Sequence, residues 1–301
     1  MPGTLGKKDW EFLLGRIRQG RCTPFIGAGA CAGALPLSEA IAEEWAEQYE
    51  YPLKDRKDLT RVAQYLAVQF DSWLPKQHLA DLVQKCAPPD FSAPDEPHAV
   101  MARLPLPIYL TTNYDDFMVQ ALRREDRNPR REICCWNKHL EDLVAASDAF
   151  SHDLAGLDPD DKNPLVFHLH GCGGLKESIV VTEDDYLQFL VSVASEKGIT
   201  PGRIMQALTE TTLLFIGYSL RDWTFRVLWR GLVASRPNMR YLSIAIQLPP
   251  DPNAHSDEEQ KEAQDFLDRY FDKLFDVRVY WGTAREFAAD LSKRWEEQSG
   301  E

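Results

Sequence analysis

The chain has 301 residues, 44% of them hydrophobic and 27% charged, which suits one large core or a core carrying an insertion. Its formal net charge of −13 opposes sequence-independent binding to nucleic acid, which relies on clustered Lys and Arg. The longest apolar runs, such as Leu213-Leu214-Phe215-Ile216, are far too short to span a bilayer. Six cysteines (22, 31, 86, 134, 135 and 172) occur without any C-x-x-C, which excludes a zinc ribbon and a thioredoxin-like motif. No signal peptide is read in residues 1–9, so free thiols in a reducing cytoplasm are expected.

In chain order, the first element is the apolar run Thr23-Pro24-Phe25-Ile26, read as a buried strand ending in Gly27-Ala28-Gly29. Ser38 is placed to cap a helix carrying Ile41, Trp45 and Tyr49 at four-residue spacing. A second helix carries Leu59, Val62, Leu66 and Phe70, and a third Leu79, Leu82, Val83 and Cys86. No strand is read between Gly33 and Leu104, which makes residues 33–104 a helical insertion, closed by a proline-rich run at 88–94. Residues 106–110 are then expected as a strand, 114–124 as a helix and 133–136 as a strand. The basic cluster Arg123-Arg124 to Arg130-Arg131 is read as a helix end or loop. Residues 165–169 and 179–181 are expected as strands, and Thr182-Glu183-Asp184-Asp185 as a helix start. A strand at 212–216, a helix at 221–234 and strands at 241–246 and 277–280 complete the pattern. Strands separated by helices predict an α/β fold: a Rossmann-like, doubly wound, mostly parallel sheet within a single domain over 1–301.

Ligands of such a sheet gather at the carboxyl ends of its strands. Four expected strands end there in polar or glycine-rich sequence: Gly27-Ala28-Gly29, Thr111-Thr112-Asn113-Tyr114-Asp115, His168-Leu169-His170-Gly171 and Gly217-Tyr218-Ser219-Leu220-Arg221-Asp222. Each has a plain structural explanation: a tight turn, a helix cap, a satisfied core histidine. The first glycine turn misses the G-x-G-x-x-G spacing by one residue, because the next glycine is Gly33. His168 and His170 lie two apart on one strand face, but no third metal ligand stands at suitable local spacing.

As an ordered set, Phe25-Ile26-Gly27-Ala28-Gly29, Thr112-Asn113-Tyr114-Asp115, His168-Leu169-His170-Gly171 and Phe215 to Asp222 resemble the sirtuin superfamily, and most of all the sirtuin-like domains of bacterial anti-phage defence. Deacylating sirtuins carry paired C-x-x-C motifs after their His-Gly; only Cys172 follows His170 here. The resemblance therefore implies the NADase branch without its zinc module, and no metal or other cofactor is expected. In that reading Gly27, Ala28 and Gly29 hold the diphosphate of NAD, Asp115 accepts from the carboxamide, and Asn113 orients a water or the ribose. His170 acts as general base, with an ordinary imidazole pKa of about 6.5. Gly217, Ser219 and Asp222 lie on the adenosine side.

The implied activity is cleavage of NAD to nicotinamide and ADP-ribose, depleting NAD in abortive infection. The other readings are a subunit that senses NAD or ADP-ribose without turnover, a deacylase or ADP-ribosyltransferase, and a nuclease active only in a larger complex. The core is expected to fill nearly the whole chain, so control would fall to a homo-oligomer or to a partner; the resemblance implies a HerA-like ATPase or an Argonaute-type protein. No direct nucleic-acid or membrane contact is expected, and the insertion is read as a lid or a fixed cap.

Overall fold

A computed structural model describes residues 5–147, 150, 158–194, 201–220, 229, 241–250 and 256–299. Seven strands form one sheet: β1 (Cys22–Ile26), β2 (Ile108–Thr111), β3 (Arg130–Ile133), β4 (Leu165–His168), β5 (Thr212–Ile216), β6 (Ser243–Gln247) and β7 (Val277–Trp281). Their order is β3-β4-β2-β1-β5-β6-β7, and every pairing is parallel. The expected α/β, doubly wound fold is what the chain adopts. The central strands β1, β2, β4 and β5 are buried along their whole length, as a parallel sheet covered on both faces requires.

Alternate side chains feed two cores. Cys22, Ile26, Tyr109, Val166 and Leu214 face helices α1 (Lys7–Arg18), α5 (Pro97–Ala102), α6 (Phe117–Arg124) and α11 (Ala284–Ser299). Phe25, Leu110, Phe167 and Phe215 face α7 (Lys138–Ala145), α8 (Glu183–Ala194), α9 (Gly202–Glu210) and α10 (Asp257–Phe275). Pro24 sits in a central strand, where a missing N–H is normally excluded. It is tolerated because pairing with β2 begins only at Phe25, and Pro24 lies before that register on the β2 side.

Between β1 and α5 lie helices α2 (Ser38–Gln48), α3 (Leu59–Gln69) and α4 (Leu74–Lys85). They share an apolar cluster of Ile41, Trp45, Val62, Leu66 and Leu79 that also takes in Ile179 and Val181. Lys76 of α4 and Asp185 of α8 form a buried ion pair at 2.7 Å, and the second Asp185 oxygen accepts from the Val181 and Thr182 amides. Lys76→Met should destabilise the fold by about 3 kcal/mol, because it strands a buried carboxylate. Chemical denaturation checks this, and a loss under about 1 kcal/mol would mean that the pair behaves as a solvated one.

Several expectations need correction. Residues 179–181 form no strand; Ile179 and Val181 serve the cluster under α2–α4, Val180 packs into the core beside Phe167, and the Val180 amide bonds the His170 carbonyl. The strand expected at 133–136 runs from Arg130 to Ile133, so Arg130 and Arg131 lie in an edge strand, where charged residues are usual. Ser38 begins α2 but does not cap it; Leu37 holds the cap position without a side-chain bond. The helix expected at 221–234 lies outside the described residues, apart from the buried Trp229.

Candidate functional site

In the sheet order, β4, β2, β1 and β5 are adjacent and parallel, so their carboxyl ends open on one edge. The chain starts in the middle with β1, builds outward through β2 on one side, and returns to the other side with β5. A crevice forms where such a sheet changes direction. The four polar segments expected at this edge are therefore brought together, except for Arg221 and Asp222, which lie outside the described residues.

The first and last of these segments are interlocked through backbone. The Gly27 amide donates to the Ile216 carbonyl at 2.9 Å, and the Gly29 amide to the Gly217 carbonyl at 2.8 Å. A Cβ on Gly27 would meet the Gly217 oxygen at 2.6 Å, and one on Gly29 would meet the Gly217 Cα at 2.9 Å. The glycines thus have a packing reason of their own, and two of their amides are already engaged. Ala28 is exposed at the start of the 3-10 turn Ala28–Cys31, where first-turn amides point outward.

Asn113 is buried beneath this turn. Its Nδ2 donates to the Gly27 carbonyl and to Cys31 Sγ, both at 3.1 Å, and its own carbonyl accepts from His168 Nδ1 at 3.0 Å. Asp115 divides its oxygens: Oδ1 accepts the Phe117 amide at 2.9 Å, and Oδ2 accepts from the Cys31 thiol at 3.3 Å. Burial, reinforced by the Asp115 carboxylate, pushes the Cys31 thiol well above its usual value. Ser219 is exposed, and the loop holding it is pinned by Gln247, whose Oε1 accepts the Leu220 amide and whose Nε2 donates to the Tyr218 carbonyl.

His170 lies past the end of β4, 3% exposed, with its ring edge-on to Tyr186 and Phe189 at 5.2 and 5.1 Å. Its Nε2 is buried with no hydrogen-bond partner. Burial pushes the imidazole down from 6.5 to about 3, which replaces the expectation of an ordinary histidine pKa. The sign follows directly. Below about pH 6.5 the unfolded chain takes up a proton that the folded His170 refuses, so stability falls as pH drops from 6.5 towards 3. The loss attributable to this residue should approach about 1.4 kcal/mol per pH unit. His170→Phe, which suits the aromatic walls, should flatten it in denaturation curves across that range; an unchanged slope would remove His170 as its source.

Cys31, His98 and Asp115 stand within 4.8 Å of one another through one ligand atom each and could hold a metal ion. Cys31 and His98 were missed by sequence reasoning, because 67 positions separate them and local spacing carries no signal. Elsewhere, a cavity of about 480 Å³ opens at the amino ends of β1, β2 and β5, between Arg21, Thr23, Pro107, Arg203 and Glu210. None of the candidate residues lines it.

The SIR2-like domain model matches residues 107–271, more than half of the chain, a span that includes Asn113, Asp115, His170, Gly217 and Ser219. The chain is similar to the NAD(+) hydrolase ThsA of Cytobacillus dafuensis, at 28% identity over 221 residues, covering 70% of this chain and 38% of that protein. It is similar also to the NAD(+) hydrolase ThsA of Acinetobacter baumannii (strain 532279), at 22% over 245 residues, covering 80% and 42%. It thus spans about two-fifths of the length of these relatives. A solved structure from work on the mechanism and regulation of Sir2 enzymes aligns with 98% of the chain and all of its own, at 11% identity and a TM-score of 0.41, too low to support an argument. Among the described residues no helix is long and apolar enough to cross a membrane.

Proposed function

The chain belongs to the SIR2-like domain family, and from that footing we propose that it is an NAD glycohydrolase, splitting NAD into nicotinamide and ADP-ribose. The observation that carries the reading is the meeting of the 27–29 turn, Asn113, Asp115 and His170 at one sheet edge, in a chain similar to proteins named NAD(+) hydrolases. The nicotinamide nitrogen is cationic before cleavage, so the leaving group needs no acid. The protein has to hold the dinucleotide, steady an oxocarbenium-like ribose and deliver water to it. The Ala28 amide faces the diphosphate, with Gly27 and Gly29 allowing its close approach. Asp115 Oδ1, which accepts the Phe117 amide, keeps a second lone pair for the carboxamide N–H. Asn113 Oδ1 accepts from water or a ribose hydroxyl, and His170, a weak base with a pKa of about 3, takes up the water's proton as the water adds to the ribose cation, when that proton is strongly acidic. Gly217, Ser219 and Asp222 serve the adenosine side.

Incubating the purified protein with NAD should release nicotinamide and ADP-ribose in equal amounts, resolved by liquid chromatography. NAD retained intact on the protein would replace hydrolysis by sensing, and loss of an acyl group from an acylated peptide would replace it by deacylation. An enzyme that empties a cell of NAD has to be restrained, so the same reading places the chain in anti-phage defence as a homo-oligomer. It would be controlled by a partner such as a HerA-like ATPase or an Argonaute-type protein. Light scattering beside the NAD assay should show an oligomer of low basal activity. A monomer working at full rate alone would overturn that control.

A further inference from the structure

We propose that Cys31, His98 and Asp115 form a zinc site that ties the turn after β1, the start of α5 and the β2–α6 connection together. Three protein ligands of mixed thiolate, imidazole and carboxylate chemistry suit zinc, with a water completing the tetrahedron. Cys31 Sγ lies 3.8 Å from His98 Nε2 and 3.3 Å from Asp115 Oδ2, about the ligand-to-ligand spacing set by bonds of ~2.3 Å to sulfur and ~2.0–2.2 Å to nitrogen or oxygen.

The surroundings are those of a metal ligand set. His98 Nδ1 meets Glu96 Oε1 at 2.7 Å, while Glu96 Oε2 accepts the Ala99 amide at 2.6 Å. Glu96 thereby orients the imidazole and leaves Nε2 turned towards Cys31, the carboxylate–histidine pairing that supports metal-bound imidazoles. Asn113 Nδ2 donates to Cys31 Sγ, as an amide does to a bound thiolate. Asp115 Oδ1 is occupied by the Phe117 amide, so Oδ2 is the oxygen turned to the cluster. Cys31, His98, Glu96 and Asp115 are all buried, at 3, 1, 1 and 5% exposure. A dication balances the two anionic ligands, the Cys31 thiolate and the Asp115 carboxylate, while Glu96 stays paired with His98. On binding, the Cys31 thiol proton leaves to solvent and its bond to Asp115 gives way to the ion.

The site is distinct from the missing C-x-x-C module, and its test is separate from NAD turnover. Protein produced with zinc supplied and freed of loose metal should contain about one zinc per chain by elemental analysis. The metal-stripped protein titrated with cobalt(II) should develop a thiolate-to-cobalt charge-transfer band and the visible bands of a tetrahedral ion. Cys31→Ser should lose the charge-transfer band, and Cys135→Ser should keep it. Glu96→Gln, which removes no ligand, should bind cobalt ~10–100-fold more weakly; this arm stands even if Cys31→Ser fails to fold. Absence of zinc together with a featureless cobalt titration of the wild type would overturn the site. So would a charge-transfer band surviving in Cys31→Ser, or unchanged affinity in Glu96→Gln. In each of those outcomes the NAD glycohydrolase reading is untouched.

Discussion

Asn113→Ala and His170→Ala should each lower nicotinamide release by at least ~10²-fold, the usual range for a general acid–base group. The two losses should differ in kind. Asn113 has a second duty, since its Nδ2 holds the Gly27 carbonyl and so the shape of the turn on which the dinucleotide is proposed to lie. Its removal should therefore raise KM as well as lower kcat, and lower the Tm. The His170 ring packs edge-on against Tyr186 and Phe189 and its Nε2 holds no part of the turn, so its loss should fall on kcat, with KM nearly unchanged. The conservative Asn113→Asp keeps the shape but loses the donor, and should not rescue. Because His170 stays neutral down to about pH 3, the wild-type rate should show no inflection near pH 6.5 from this residue. Folded variants of both positions that turn over NAD at near wild-type rates would remove them from the site. A pH limb at 6.5 that vanishes in His170→Phe would instead show that substrate rewets the imidazole.

The strands were legible where burial is two-sided. Runs such as Leu213 to Ile216 leave little choice, because a continuous apolar segment of that length between helices has only a parallel central strand to occupy. The same rule misled at 179–181, where continuous burial comes from Ile179 and Val181 packing under α2–α4 and Val180 packing into the core beside Phe167, rather than from a ladder. Edge strands were the other weakness: β3 begins with two arginines, and nothing in its sequence distinguishes it from the end of a basic loop. At the site, glycines and polar residues at strand ends were readable from topology alone. The Cys31–His98 neighbourhood was not, because it joins the turn after β1 to α5 across the whole α2–α4 segment. Gln247, which pins the loop of Ser219, was hidden likewise: a single glutamine at the end of β6 acquires its role only when β6 pairs with β5.

Gly217→Ala should cost more than about 4 kcal/mol and abolish nicotinamide release, while Gly33→Ala costs only about 1–2 kcal/mol and leaves the rate unchanged. Both glycines have a positive φ, +67° and +91°, so both substitutions carry backbone strain. They differ in what a methyl group would meet. Nothing lies within 4 Å of a Cβ at Gly33. A Cβ at Gly217 would overlap the Ala30 nitrogen and come within 2.9 Å of the Gly27 oxygen, both of them backbone atoms with no rotamer to yield. The end of β5 would have to move away from the end of β1, breaking the bond from the Gly29 amide and with it the turn proposed to face the diphosphate. Because Gly33 supplies the strain without the overlap, the comparison isolates the close approach of the two strand ends. Equal destabilisation of the two variants in denaturant would mean that left-handed backbone strain accounts for both. A stable Gly217→Ala that still released nicotinamide would show that the crossing of these loops is not what shapes the site.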